Sequence, residues 1–311
     1  MRVKRFLLLF ICTYYWHQPS CAQTINFDSL QKKQISVKEE LILIKPNHYI
    51  IQPSGNGANT GVYNGKQKLI IIDDQWNSLV PKIKQQLKKI TPRKPSLIIN
   101  THFHYEHTNG NLTFGAEMIP IVAHENARIK LEKDRTLSAP ENLVQKASPV
   151  KGLPTITFIE RMQLYDDQEI IELTHLRNAH TDGDVLIQFK KANVFYTGDI
   201  FVTTGLPYID QNNGGDIYGM INAMNYIINV ADDKSKIVPG HGKVSGMKEM
   251  RAYRDMLTTI RNKTIQLARE KKTEEEVIQI MDTFIKQENG IASNIDFIIH
   301  VLKMVQKHER I

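Results

Sequence analysis

The feature that most restricts how this chain can fold is a helical stretch held between two apolar runs. Leu69-Ile70-Ile71-Ile72 and Leu97-Ile98-Ile99 have the length and branched residues of strands, and the second has no polar residue to face water. A strand without alternation is covered on both faces. Between the runs, Leu79, Val80, Ile83, Leu87 and Ile90 recur at helical spacing with lysines among them, which predicts a helix over 79–90. Strand, helix and strand in that order call for a layered α/β fold.

The rest of the chain extends the same plan. After a polar lead-in to about Glu40, strands are expected at 48–51, 61–63, 118–122, 155–159, 170–176, 185–189, 194–197 and 237–238. Helices are expected at 125–133, 217–230, 247–270, 273–287 and 294–308, and a loop runs through Pro140, Pro149 and Pro154. No short repeat and no Gly/Ser linker divides the chain. Residues 23–311 therefore read as one domain with a helical C-terminal tail from about residue 247.

The first 22 residues read as a cleaved signal peptide. Arg2, Lys4 and Arg5 precede an apolar stretch from Phe6 to Cys12, extended by Tyr14, Tyr15 and Trp16. That stretch is shorter than the roughly 20 residues that span a bilayer. Ser20-Cys21-Ala22 offers a cleavage site after Ala22 and predicts a periplasmic or secreted protein with no integral membrane segment. Gln18-Pro19-Ser20 is a poor approach to a lipidated Cys21, so a lipoprotein is disfavoured. Both cysteines, Cys12 and Cys21, fall in this segment, which leaves the mature chain no disulfide and no thiolate ligand. Without it, Lys plus Arg drops from 40 to 37 against 33 Asp plus Glu, a net charge of +4. The lysines lie on helix faces rather than among aromatics, which argues against nucleic acid as a partner.

Chemistry concentrates directly after Leu97-Ile98-Ile99, in Asn100-Thr101-His102-Phe103-His104-Tyr105-Glu106-His107. His102 and His104, two apart on extended backbone, can point the same way, while Glu106 and His107 turn into the Thr108-Asn109-Gly110-Asn111 bend. Imidazoles and a carboxylate are ligands that Zn²⁺ and Fe²⁺ accept. The C-terminal end of a strand is where α/β folds carry their sites. Three more residues stand at predicted strand ends: His180 in Ala179-His180-Thr181-Asp182-Gly183-Asp184, Asp199 in Thr197-Gly198-Asp199, and His241 in Pro239-Gly240-His241-Gly242. Asp182 and Asp184 suit turn formation better than ligation. His48, His124 and His175 suit packing or capping, and His300 and His308 a solvated helix face. The loop 205–210 is as well an ordinary surface loop as a substrate wall.

In this order the motifs resemble the metallo-β-lactamase superfamily, whose pattern is H-x-H-x-D-H followed by a His, an Asp and a final His. The resemblance covers nearly all of the mature chain and includes Asp73, a support for the ligands in such proteins. It implies an αβ/βα four-layer sandwich of two mixed β-sheets flanked by helices, with a metal site on the edge between the sheets. It further implies that His102, His104 and His180 hold one metal, that Glu106, His107 and His241 hold a second, and that Asp199 bridges them. Two cations about 3.5–4 Å apart lower the pKa of a shared water and make hydroxide available at neutral pH.

Glu106 departs from the pattern, which has aspartate there. Three arrangements stay open: ligation in altered geometry, a supporting role as base or orienter, or a site that holds one metal well and the other weakly. The resemblance points to a hydrolase, with two zinc ions expected and iron or a mixed pair as alternatives, acting on a small carbonyl substrate such as a β-lactam, lactone or thioester. Export favours a β-lactam, whereas a bridging Asp199 favours lactonase- or thioesterase-like chemistry. Two further classes compete with it: a mononuclear iron dioxygenase of sulfur compounds, and a metal-binding protein that has lost catalysis. In the hydrolase, Glu106 and Asp199 are the expected catalytic carboxylates.

Overall fold

The computed structural model describes residues 36–54, 57–138 and 143–311. The predicted signal peptide and the Pro140 part of the predicted loop lie outside the described residues. The first sheet is built from β1 (Glu39–Lys45), β2 (His48–Pro53), β3 (Thr60–Asn64), β4 (Leu69–Ile72), β5 (Leu97–Ile99) and β6 (Ile121–His124). A small hairpin of β7 (Arg135–Thr136) and β8 (Val144–Gln145) follows, and β9 (Ile156–Phe158) completes the sheet in the order β1-β2-β3-β4-β5-β6-β9. It is antiparallel from β1 to β4 and parallel from β4 to β9.

The second sheet comprises β10 (Arg161–Asp166), β11 (Glu169–His175), β12 (Val185–Phe189), β13 (Val194–Tyr196) and β14 (Lys236–Val238) in sequence order. Its last pair, β13 with β14, is parallel. Both sheets are therefore mixed, as the resemblance implies.

The strand pattern explains the layering. Ile70, Ile72 and Ile99 face Leu173, Val185, Ile187 and Phe189 across the gap between the sheets. Ile71 and Ile98 face outward onto Val80, Ile83 and Leu87 of the helix Val80–Ile90. A strand with helix on one side and sheet on the other has no place for a polar residue, and each isoleucine so buried contributes about 2–3 kcal/mol. On the far side, Leu186, Phe195 and Ile237 pack against the helices Ile217–Val230, Met247–Arg269, Glu274–Asn289 and Ile295–Glu309. The layers run helix, sheet, sheet, helix.

Four local expectations change. Residues 41–45, assigned to no element from the sequence, complete strand β1, whose Ile42 and Ile44 pack between the sheets while Leu41 packs under the outer helix. The sixth strand starts at Ile121 rather than Met118, because Met118 takes a left-handed φ of 61° that closes the short helix Asn111–Ala116. Strand β10 was hidden by its exposed Arg161, Gln163 and Tyr165, although Met162 and Leu164 alternate inward. The expected bend after His104 is two short helices, Tyr105–Thr108 and Asn111–Ala116. No helix among the described residues is long and apolar enough to cross a membrane.

Candidate metal centre

All seven candidate residues converge at one end of the sandwich, in two groups. His102, His104 and His180 each bring a ring nitrogen to within 4.8 Å of the others, and Glu106, His107, Asp199 and His241 do the same with one ligand atom each. His102 and His104 leave the end of β5, and the helix Tyr105–Thr108 turns Glu106 and His107 toward the neighbouring position. His180 comes from the β11–β12 loop, Asp199 from the 3₁₀ turn Gly198–Ile200 after β13, and His241 from the loop after β14. Two glycines admit this crowding. Gly198 sits at φ +51°, where a Cβ would stand 2.5 Å from Thr101 Oγ1, and a Cβ on Gly240 would collide with Asp199 Oδ1.

Four imidazoles are anchored through the nitrogen that faces away from the site. His104 Nε2 lies 2.9 Å from Asp210 Oδ2, and His107 Nδ1 lies 2.8 Å from Asp73 Oδ2. His180 Nδ1 lies 2.8 Å from the Tyr208 carbonyl, and His102 Nδ1 lies 3.1 Å from Thr101 Oγ1. Thr101 in turn donates to Asp73, its hydroxyl to Oδ2 and its N–H to Oδ1, each at 2.7 Å. A carbonyl or carboxylate only accepts, so these contacts place the proton on the anchored nitrogen of His104, His107 and His180. The other nitrogen then turns a lone pair into the site.

Those lone pairs face one another. His104 Nδ1 is 2.9 Å from His180 Nε2 and 3.2 Å from His102 Nε2. Two facing lone pairs repel unless a cation lies between them. Nitrogens on one tetrahedral zinc, bound at about 2.0–2.1 Å, stand about 3.3 Å apart. In the second group, the buried atoms His107 Nε2 and Asp199 Oδ1 have no hydrogen-bond partner, although they lie 3.2 Å apart. Unpaired buried polar atoms are costly in a native fold unless something else occupies their valence. The donor set therefore fits divalent cations.

The two groups differ in electrostatics. Burial and the neighbouring imidazoles hold His102 well below its ordinary pKa, and burial takes His180 down to about 4. His104 is raised, because its hydrogen bond to Asp210 and the nearby Glu106 outweigh its burial. In the second group, burial is overcome by Asp199 at both His107 and His241, and both are raised. Asp199 is held well below its usual range despite burial, by His241 and His107. Glu106 is lowered despite burial, by His104 and His107. Asp199 reaches toward both groups: Oδ2 is 3.3 Å from His241 Nε2 and 3.7 Å from His180 Nε2.

Asp210 was not singled out from the sequence. Nothing in the composition of the loop 205–210 separates a buried orienter from a turn residue, and only the contact with His104 gives Asp210 its role. Asp184 does behave as a turn-former, accepting the N–H groups of His180 and Thr181 at 2.7 and 2.9 Å. His124 caps the helix Glu125–Leu131 through Nδ1 and stacks on His175 at 3.6 Å. His308 departs from a free solvated position: its Nε2 lies 2.8 Å from Asp216 Oδ2, and its ring stacks on Tyr218.

Comparison with known proteins agrees with this architecture. The profile of the metallo-beta-lactamase superfamily matches residues 54–273. A probable metallo-hydrolase of Methanocaldococcus jannaschii is 25% identical over 206 residues, covering 65% of this chain and 94% of that protein. Among solved structures, DIM-1 metallo-beta-lactamase aligns with a TM-score of 0.58 at 16% identity, over 72% of this chain and 99% of that one. The stereoselective inverting sec-alkylsulfatase Pisa1 from Pseudomonas sp. aligns with a TM-score of 0.62 at 14% identity, over 87% of this chain and 50% of that one. At such identities the structural likeness shows the fold alone. Given the two mixed sheets between helices, the seven converging residues and a family match over most of its length, this chain belongs to the metallo-beta-lactamase superfamily.

Proposed function

We propose that this protein is an exported di-zinc hydrolase of a small carbonyl substrate, of the β-lactam, lactone or thioester kind. The observation that carries this reading is the pair of adjacent donor groups, three imidazoles beside two imidazoles and two carboxylates. A single-iron site needs only three of these residues and leaves His107, His241 and Glu106 without purpose. His102, His104 and His180 would hold one cation, and Glu106, His107 and His241 the other, with Asp199 shared. A cation pair held there would supply a water of lowered pKa and polarise a substrate oxygen.

The chain supplies the rest. Asp73, Asp210, Thr101 and the Tyr208 carbonyl fix the imidazole orientations before substrate arrives, so no reorganisation is needed during the reaction. Glu106 is only partly buried and its carboxyl is lowered. Of the two carboxylates it is the one nearer solvent, and the oxygen that does not face the second group can accept a proton from an attacking water and return it to the leaving group. From the helix Tyr105–Thr108 the Glu106 carboxylate reaches the second group despite its extra methylene relative to aspartate.

The test is elemental analysis of the chain from Gln23 onward, beside nitrocefin and lactone hydrolysis, for the wild type and Glu106→Asp. Two zinc ions per chain with turnover, and a changed second-ion affinity in the variant, is the expected result. One iron with oxygen uptake and no hydrolysis would replace this reading with the dioxygenase, and a chain that binds no metal would end it. Secretion of the full-length chain with cleavage after Ala22 tests the compartment.

A further inference from the structure

A cavity of about 350 Å³ lies beside the metal centre, between the loop 204–209 and the start of the last helix, Ile295–Glu309. Leu206, Ile209, Ile291 and Phe297 make its apolar wall, and Tyr208 and His300 its polar one. Among its described lining residues there is no lysine or arginine, and Asp296 is the one acidic residue. Its volume is at the low end of small-molecule sites, about 300–1,000 Å³, enough for a medium alkyl chain or a single ring.

Tyr208 connects the cavity to the chemistry. Its ring centroid is 5.8 Å from those of both His104 and His180, and its carbonyl holds His180. Ser138, also in the cavity wall, donates its N–H to Asp210, the residue that anchors His104. Tyr208 thus belongs both to the cavity wall and to the surroundings of the three-histidine group. Thr204 lines both this cavity and the larger groove beside the His241 loop.

We propose that this cavity is a subsite for an uncharged apolar arm of the substrate, with Leu206, Phe297 and Tyr208 setting specificity; the assignment of the arm to a substrate rests on the hydrolase reading above. An anionic arm is disfavoured, because it would be desolvated beside Asp296 with no cation in the described wall to receive it. A cationic tip is tolerated for the same reason. An apolar arm gains about fourfold in affinity for each methylene it buries. The last helix, outside the 54–273 family match, thereby becomes part of the recognition surface.

The experiment measures binding of n-hexanol, n-hexylammonium and hexanesulfonate to the zinc-loaded full chain by saturation-transfer NMR, beside kcat/KM for acetyl and hexanoyl esters. Hexanol and hexylammonium are expected to bind, and Ala292→Trp, made at an exposed position on the cavity rim, is expected to weaken both tenfold or more. Leu206→Trp fills the cavity from the opposite wall, so agreement between the variants excludes misfolding of one as the cause. The hexanoyl ester is expected to be preferred tenfold or more, and the preference to collapse in both variants. Hexanol binding that neither variant changes, hexanesulfonate binding as tight as hexanol, or equal kcat/KM for the two esters overturns the subsite. Hexanol binding lost in both variants, in a protein with no hydrolysis of any carbonyl compound, retains the cavity as a ligand site and overturns the hydrolase reading instead.

Discussion

The two donor groups stand side by side but solve opposite electrostatic problems. His102, His104 and His180 are almost fully buried; burial and the neighbouring imidazoles favour neutral rings at His102 and His180, while Asp210 and Glu106 raise His104. Glu106, His107, Asp199 and His241 carry two carboxylates and face partly outward, and they raise the pKa of the histidines among them. The first group thus keeps two of its three rings neutral, and the second draws positive charge onto both of its histidines. The first group is the more deeply buried, and the second carries both carboxylates of the site.

The largest effect that can break this comparison is expected at Asp199, which approaches both groups. Asp199→Ala should remove the shared carboxylate, lower kcat/KM by at least about 10³-fold and cut bound zinc at both positions. Loss of one ion only, with most activity kept, would show that the groups act separately. Next in size is a contrast between two orienters. Among the seven donor side chains, the Asp210 carboxylate contacts His104, so Asp210→Ala should weaken one ion about 10–100-fold. Asp73 holds His107 directly and His102 through Thr101, so Asp73→Ala should weaken both ions. Zinc titration with a chromophoric chelator reads the difference, and identical profiles for the two variants would count against it.

The smallest effect concerns a histidine pair away from the site. His124, pushed down to about 4 by burial and by His175, takes up a proton less readily folded than unfolded, where its pKa is near the ordinary 6.5. Its contribution to stability is therefore complete above pH 6.5 and is lost as the pH falls toward 4. Protonation also ends the capping of Asn126, since the ring nitrogen can no longer accept. His124→Gln should flatten the acid decline of Tm by about 2–4 °C relative to the wild type. A parallel decline in both proteins would assign that slope to other groups.

How much of this was legible depended on the range of the interaction. The β4–helix–β5 unit was readable because residues close in sequence carry the period of their own layer. The donor-rich run His102 to His107 was readable because six residues held four donors after a buried strand. Strand β10 was not, since Arg161, Gln163 and Tyr165 give an edge strand the composition of a loop. Asp210 was not, because it is 106 positions from the histidine it orients.

The sequence alone determined the donor types, their order along the chain and the alternation of strand and helix, since these follow from local chemistry and periodicity. Only the tertiary structure decided which nitrogen of each imidazole faces the site, which donors share a group and where the last helix meets the loop 204–209. His180 meets His104 across 76 residues of chain, and both are anchored from the loop that follows Asp199. Such hydrogen bonds leave no periodic trace in the sequence, because their geometry is fixed by how two sheets pack and not by the spacing of residues along one strand.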